Sequence, residues 1–103
     1  MATVHVVLCK VQGRNRRTIL PVPDSVPLGA KTATSSGSSA EVDVGVKGQP
    51  GQFWSVTVTG GNIYARFGAN PTAVTDEGWL ILDGQTREFA VCAAGEEIAI
   101  KDA

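Results

Sequence analysis

The residues that usually carry catalysis are scarce in this sequence. Its 103 residues include one histidine, one methionine and two cysteines. A single imidazole cannot build the several-histidine cage of a metal-bearing β-fold. His5 and Cys9 stand four positions apart, about 13 Å along an extended strand, so they do not chelate one ion locally, and Cys92 reaches either of them only across a sheet. No Gly-x-Ser-x-Gly elbow accompanies the serines, so a Ser-His-Asp triad has no local signature. The carboxylate neighbours Asp76-Glu77 and Glu96-Glu97 point to opposite faces of an extended chain, and they read as solvated turn charges. Gly60-Gly61 leads into a strand pattern and not into a helix, which removes a phosphate-cradling loop. The expectation is a chain that is not an enzyme, with no catalytic residue, no cofactor and no metal.

Charge of one sign and long apolar runs are missing too. Nine basic and ten acidic side chains leave a net charge of −1, so no global field holds a polyanion, and no nucleic-acid partner is expected. No stretch of ~20 apolar residues is present, so no membrane partner is expected either. The opening residues alternate too early for a signal peptide, which suggests synthesis in the cytosol. In that compartment Cys9 and Cys92 are expected as two buried thiols and not as a disulfide.

What is present is β-patterning on the scale of one domain, residues 1–103. Residues 3–11 are rich in β-branched side chains, residues 13–16 have turn chemistry, and residues 17–20 return as a short strand. Pro21, Pro23 and Pro27 keep the following chain out of helices and central strands. Residues 41–47 alternate strictly, with Val42, Val44 and Val46 on one face. Residues 53–59 follow with Trp54, Val56 and Val58, and residues 63–67 with Ile63, Ala65 and Phe67. Trp79-Leu-Ile-Leu82 reads as a strand buried on both faces, and Asp83-Gly84 has the chemistry of a hairpin turn. Phe89 and Val91, then Ile98 and Ile100, complete the inward positions. Seven or eight short strands with frequent turns predict an all-β fold. An antiparallel β-sandwich is expected, as a jelly roll of about eight strands or, alternatively, an immunoglobulin-like sandwich.

Three features stand out for binding. Residues 29–40 are small and polar, and they read as a flexible Gly/Ser-rich loop or arm. Arg14-Asn-Arg-Arg17 is the one basic cluster, either a solvated turn or a grip on acidic groups. Residues 1–31 carry five basic side chains against Asp24, a net of +4, whereas residues 32–103 hold four basic and nine acidic groups, a net of −5. Such a split favours contact between unlike patches on neighbouring subunits. Among the aromatics, Trp54, Tyr64 and Trp79 would make a sugar-stacking platform if they were exposed together, but the parity of Trp54 with Val56 and Val58 places it in the core. Tyr64 shares a face with Arg66.

The later part of the chain carries a recurring set of motifs. They are Asn62-Ile-Tyr-Ala-Arg-Phe-Gly-Ala-Asn-Pro-Thr-Ala-Val74, Gly78-Trp-Leu-Ile-Leu-Asp-Gly84, Phe89-Ala-Val91 and Gly95-Glu-Glu-Ile-Ala-Ile100. In this order they resemble the small β-sandwich virion proteins of tailed bacteriophages. The resemblance covers about 40 residues and brings no catalytic residues. It implies a head decoration or cement protein, made in the host cytoplasm and located in the virion, that bridges major capsid protein subunits. Its own assembly state is expected to be a homo-oligomer, dimer or trimer. The expected contact residues are Arg14, Arg16, Arg17, Lys31, Tyr64 and Arg66. A tail-associated or carbohydrate-binding β-sandwich module is the alternative.

Overall fold

The structure, a computed structural model, describes residues 1–15, 18–23 and 26–103, with residues 11–15 and 18–23 described as backbone. Among the described residues there are nine strands and no helix: β1 (Thr3–Asn15), β2 (Thr18–Pro23), β3 (Gly29–Thr34), β4 (Ala40–Val42), β5 (Gln52–Thr59), β6 (Ile63–Gly68), β7 (Trp79–Ile81), β8 (Thr86–Ala90) and β9 (Glu97–Asp102). Every pairing is antiparallel. One sheet runs β2-β1-β5-β8, with β3 also paired to β1, and the other runs β4-β9-β6-β7. The two pack face to face as a β-sandwich.

Alternation places the core. Val4, Val6 and Leu8 of β1 sit opposite Val58, Val56 and Trp54 of β5, and all six are buried. From the second sheet, Val42, Ile63, Ala65, Ile81, Ile98 and Ile100 close the other side of one continuous cluster. Each fully buried Val, Leu or Ile contributes roughly 1.5–3 kcal/mol relative to exposure. A chain of this length therefore depends on nearly all of them.

The segment read as a flexible arm is the largest departure from expectation. Its first half is β3, paired with β1 from Thr34 opposite Thr3 to Gly29 opposite Leu8. Its small residues have a packing reason: a Cβ on Gly29 would stand 2.5 Å from the backbone oxygen of Val44, so only glycine lets that chain cross so closely. Ser35 follows and is buried. Its hydroxyl donates to the Asp102 carboxylate and accepts from the Ala2 N–H at 2.8 Å, linking the first sheet to β9 of the second.

Two further expectations change at the sheet edges. The strand expected over residues 41–47 stops at Val42, because the Asp43 carboxylate accepts from the Gly45 N–H at 2.8 Å and Gly45 turns the chain with φ +96°. Val46 is then 47% exposed. In β7 only Ile81 is buried, while Trp79 and Leu80, and Leu82 just after the strand, are exposed, because β7 is the edge of its sheet and lacks a described neighbour on one side. Asp83-Gly84 turns the chain from β7 of one sheet to β8 of the other and does not form a hairpin.

Candidate functional site

β1 outruns its own sheet. β5 begins with Gln52 opposite Lys10, and β3 begins with Gly29 opposite Leu8. Among the described residues, Val11 to Asn15 pairs only with β2: Val11 with Pro23, Gln12 with Val22, Gly13 with Pro21 and Asn15 with Thr18, with a register irregularity between Gly13 and Asn15. The result is a two-stranded ribbon past the last residues of β1 that pair with β3 and β5. Pro21 and Pro23 give β2 no donor at those positions, which suits an outer strand. Arg14 is placed on this ribbon by its backbone. Its side chain, and Arg16 and Arg17 altogether, lie outside the described residues.

The other expected contact residues fall on two different sheets. Lys31 is exposed on β3, opposite Val6. Tyr64 and Arg66 share the outer face of β6 and meet the acidic loop that precedes β7. The Tyr64 hydroxyl donates to Asp76 at 3.2 Å, and the Arg66 guanidinium pairs with Glu77 at 3.0 Å. The fold therefore does not gather the six residues into one patch.

A cleft opens between β7 and β8, the edge strands that face each other across the sandwich. Trp79 has the inward register of Ala65, and Phe89 that of Trp54. At this open flank Trp79 is nonetheless 49% exposed, whereas Trp54 is 1% exposed. The rings form a chain: Trp79 to Phe89 at 5.3 Å, Phe89 to Phe67 at 4.9 Å, and Phe67 to Trp54 at 6.1 Å. Arg87 lies over both Trp79 and Phe89, at 5.4 and 5.5 Å from the ring centroids. The cleft is about 510 Å³ and also borders Arg66, Glu88 and Glu96.

Glu96 corrects the reading of Glu96-Glu97 as solvated turn charges. It is 4% exposed, and its carboxylate accepts from the Trp54 indole N–H at 2.9 Å and from the Cys92 N–H at 3.2 Å. The signal was present in the sequence, since Glu96 has the parity of Ile98 and Ile100 and therefore shares their inward face. Arg87 was missed in the same way, having the parity of Phe89 and Val91.

Elsewhere, Glu41 and Glu97 bring two carboxyl groups together beside Asp43 and Lys47. The hydrogen bond that the protonated Glu41 carboxyl donates to Glu97, then desolvation, then the negative charge of Glu97 hold it above its ordinary value of 4.5, with Asp43 adding to the rise and Lys47 opposing. An acid raised in the folded state binds more protons there than in the unfolded chain. Its contribution to stability is thus present below the ordinary carboxylate value and lost as pH rises through the raised one. Glu41→Gln is expected to raise the Tm at pH 7, with the gain vanishing as pH falls below 4.5; thermal denaturation across that range checks this. A gain that stays constant with pH would contradict it.

His5 is exposed on the outer face of β1, its Nδ1 2.8 Å from the Thr32 hydroxyl. Cys9 is buried but Cys92 is exposed, against the expectation of two buried thiols, because Cys92 lies in the loop just past edge strand β8. Among the described residues, no three His, Cys, Asp or Glu side chains gather where they could hold a metal ion. Comparison with protein families, curated proteins and solved structures finds no match to this chain.

Proposed function

We propose that the chain is a non-enzymatic virion structural protein of a tailed bacteriophage, decorating the capsid and stabilising it by bridging major capsid subunits. The observation that carries this reading is the ribbon of residues 11–15 and 18–23, paired to itself beyond the end of the sheet. A two-stranded ribbon alone is marginally stable at best in water. It gains most by lying against another surface. Arg14, Arg16 and Arg17 cluster at the far end of this ribbon in sequence, and they supply cations for acidic groups on that surface. Lys31 on one sheet, and Tyr64 and Arg66 on the other, give the body two differently oriented faces, as bridging between neighbouring subunits requires. The partners are the major capsid protein and further copies of this chain, as a dimer or trimer.

Binding to the assembled shell and not to its separated subunits stabilises the shell by mass action. Purified protein is therefore expected to co-sediment with expanded empty shells and to raise their melting temperature. Changing Arg14, Arg16 and Arg17 to serine weakens binding at least about tenfold, equivalent to 1.4 kcal/mol. Absence of co-sedimentation overturns the reading; equal binding by the triple variant overturns the basic contact.

A further inference from the structure

The cleft between β7 and β8 is not used by a ribbon-mediated contact, and its chemistry is specific enough to name a ligand class. We propose that it binds an uncharged oligosaccharide, one sugar ring stacking on Trp79 and its hydroxyls donating to Glu96.

The apolar half of the site is preformed. Trp79 is 49% exposed yet held through Phe89 and Phe67 to the buried Trp54. A ring fixed to the core in this way loses little freedom when a ligand lands on it. Arg87 and Phe89 cover part of the Trp79 ring, and the half left open offers an apolar surface with a polar edge, which matches the C–H face of a pyranose with hydroxyls around its rim.

The polar half is Glu96. An ionised carboxylate has about four acceptor positions. Glu96 uses one on the Trp54 indole and one on the Cys92 amide, although it is 4% exposed and borders the cleft. The remaining acceptor capacity calls for a ligand rich in O–H donors.

Charge removes the competing classes. The Arg87 guanidinium already lies over the Trp79 and Phe89 rings, so it repels a second cation that would seek the same aromatic faces. The Glu88 and Glu96 carboxylates at the cleft oppose an anion such as a phosphate or a carboxylated sugar. Arg66, the other cation at the cleft, is engaged by Glu77. Neither sign of ligand is favoured, and a neutral polyhydroxyl chain is. The volume of about 510 Å³ lies within the ordinary range of ~300–1,000 Å³ for small-molecule sites. A partner strand added to β7 is the weaker fit, because that edge is three residues long.

The test is calorimetric titration of the full chain with neutral hexasaccharides of glucose, N-acetylglucosamine, mannose and xylose, with a hyaluronan hexasaccharide as the carboxylated comparator. At least one neutral sugar is expected to bind and hyaluronan is not. Trp79→Ala lowers the affinity at least about tenfold. Trp79→Phe, which keeps a smaller ring and safeguards the fold, lowers it less. Four results would overturn the proposal: no neutral sugar binds, hyaluronan binds more tightly, both Trp79 variants bind like the parent, or the chain forms a dimer that Trp79→Ala abolishes. The last would make the cleft an interface between copies.

Discussion

Replacing Trp54 with alanine is expected to remove most of the folding stability. Trp54 sits on the central strand β5 between Leu8 of β1 and Phe89 of β8, and it is fully enclosed. Truncating a buried Trp costs about 3–5 kcal/mol through lost transfer energy and the cavity left behind. The Glu96 carboxylate also loses its indole donor, and a buried acceptor left unpaired costs a further ~1–3 kcal/mol. Against a typical margin of about 5–15 kcal/mol, the variant should unfold at low denaturant or fail to fold cooperatively. Trp54→Phe separates the two contributions, keeping a ring while removing the N–H. Equilibrium urea unfolding of both variants checks the account, and a loss below about 1 kcal/mol for Trp54→Ala would contradict it.

Excising the ribbon should separate binding from folding. Joining Val11 to Pro23 through Asn-Gly in place of residues 12–22 suits the geometry, since Val11 and Pro23 are register partners and Asn-Gly is a favoured two-residue turn. The shortened chain is expected to keep its Tm within about 5 °C of the parent, a shift of roughly 1 kcal/mol in a domain of this size. Its affinity for expanded shells should fall at least about tenfold. Co-sedimentation and calorimetry on the same preparation read both quantities. Unchanged shell binding would mean that the ribbon is not the contact.

Alternation was legible in the sequence wherever a strand has one buried face. Trp54, Val56 and Val58 are inward as their parity requires, as are Ile63 with Ala65 and Ile98 with Ile100. Edges were not legible, because nothing local to Trp79-Leu-Ile-Leu82 says that β7 lacks a neighbour. A continuous apolar run therefore implied burial on both faces where only Ile81 has it. Composition also concealed β3. Its glycine and alanines look like a linker until Val44 is placed against Gly29. The cleft follows from the same two causes, edge position and parity. Trp79 and Phe89 are inward residues at a flank that neither sheet closes, and the charged residues Glu96 and Arg87 have inward parity that their chemistry seemed to forbid. The ribbon was half visible: the hairpin was expected, but its extension past β5 depends on where a distant strand ends.

Electron cryomicroscopy of expanded shells saturated with the protein shows directly where the sandwich sits. A bridging protein is expected as a sandwich seated over joints between major capsid subunits, with the strand pair around Arg14 entering the joint and the Tyr64 and Arg66 face turned toward a second subunit. Bare shells, or a bound sandwich whose strand pair points into solvent, would contradict it.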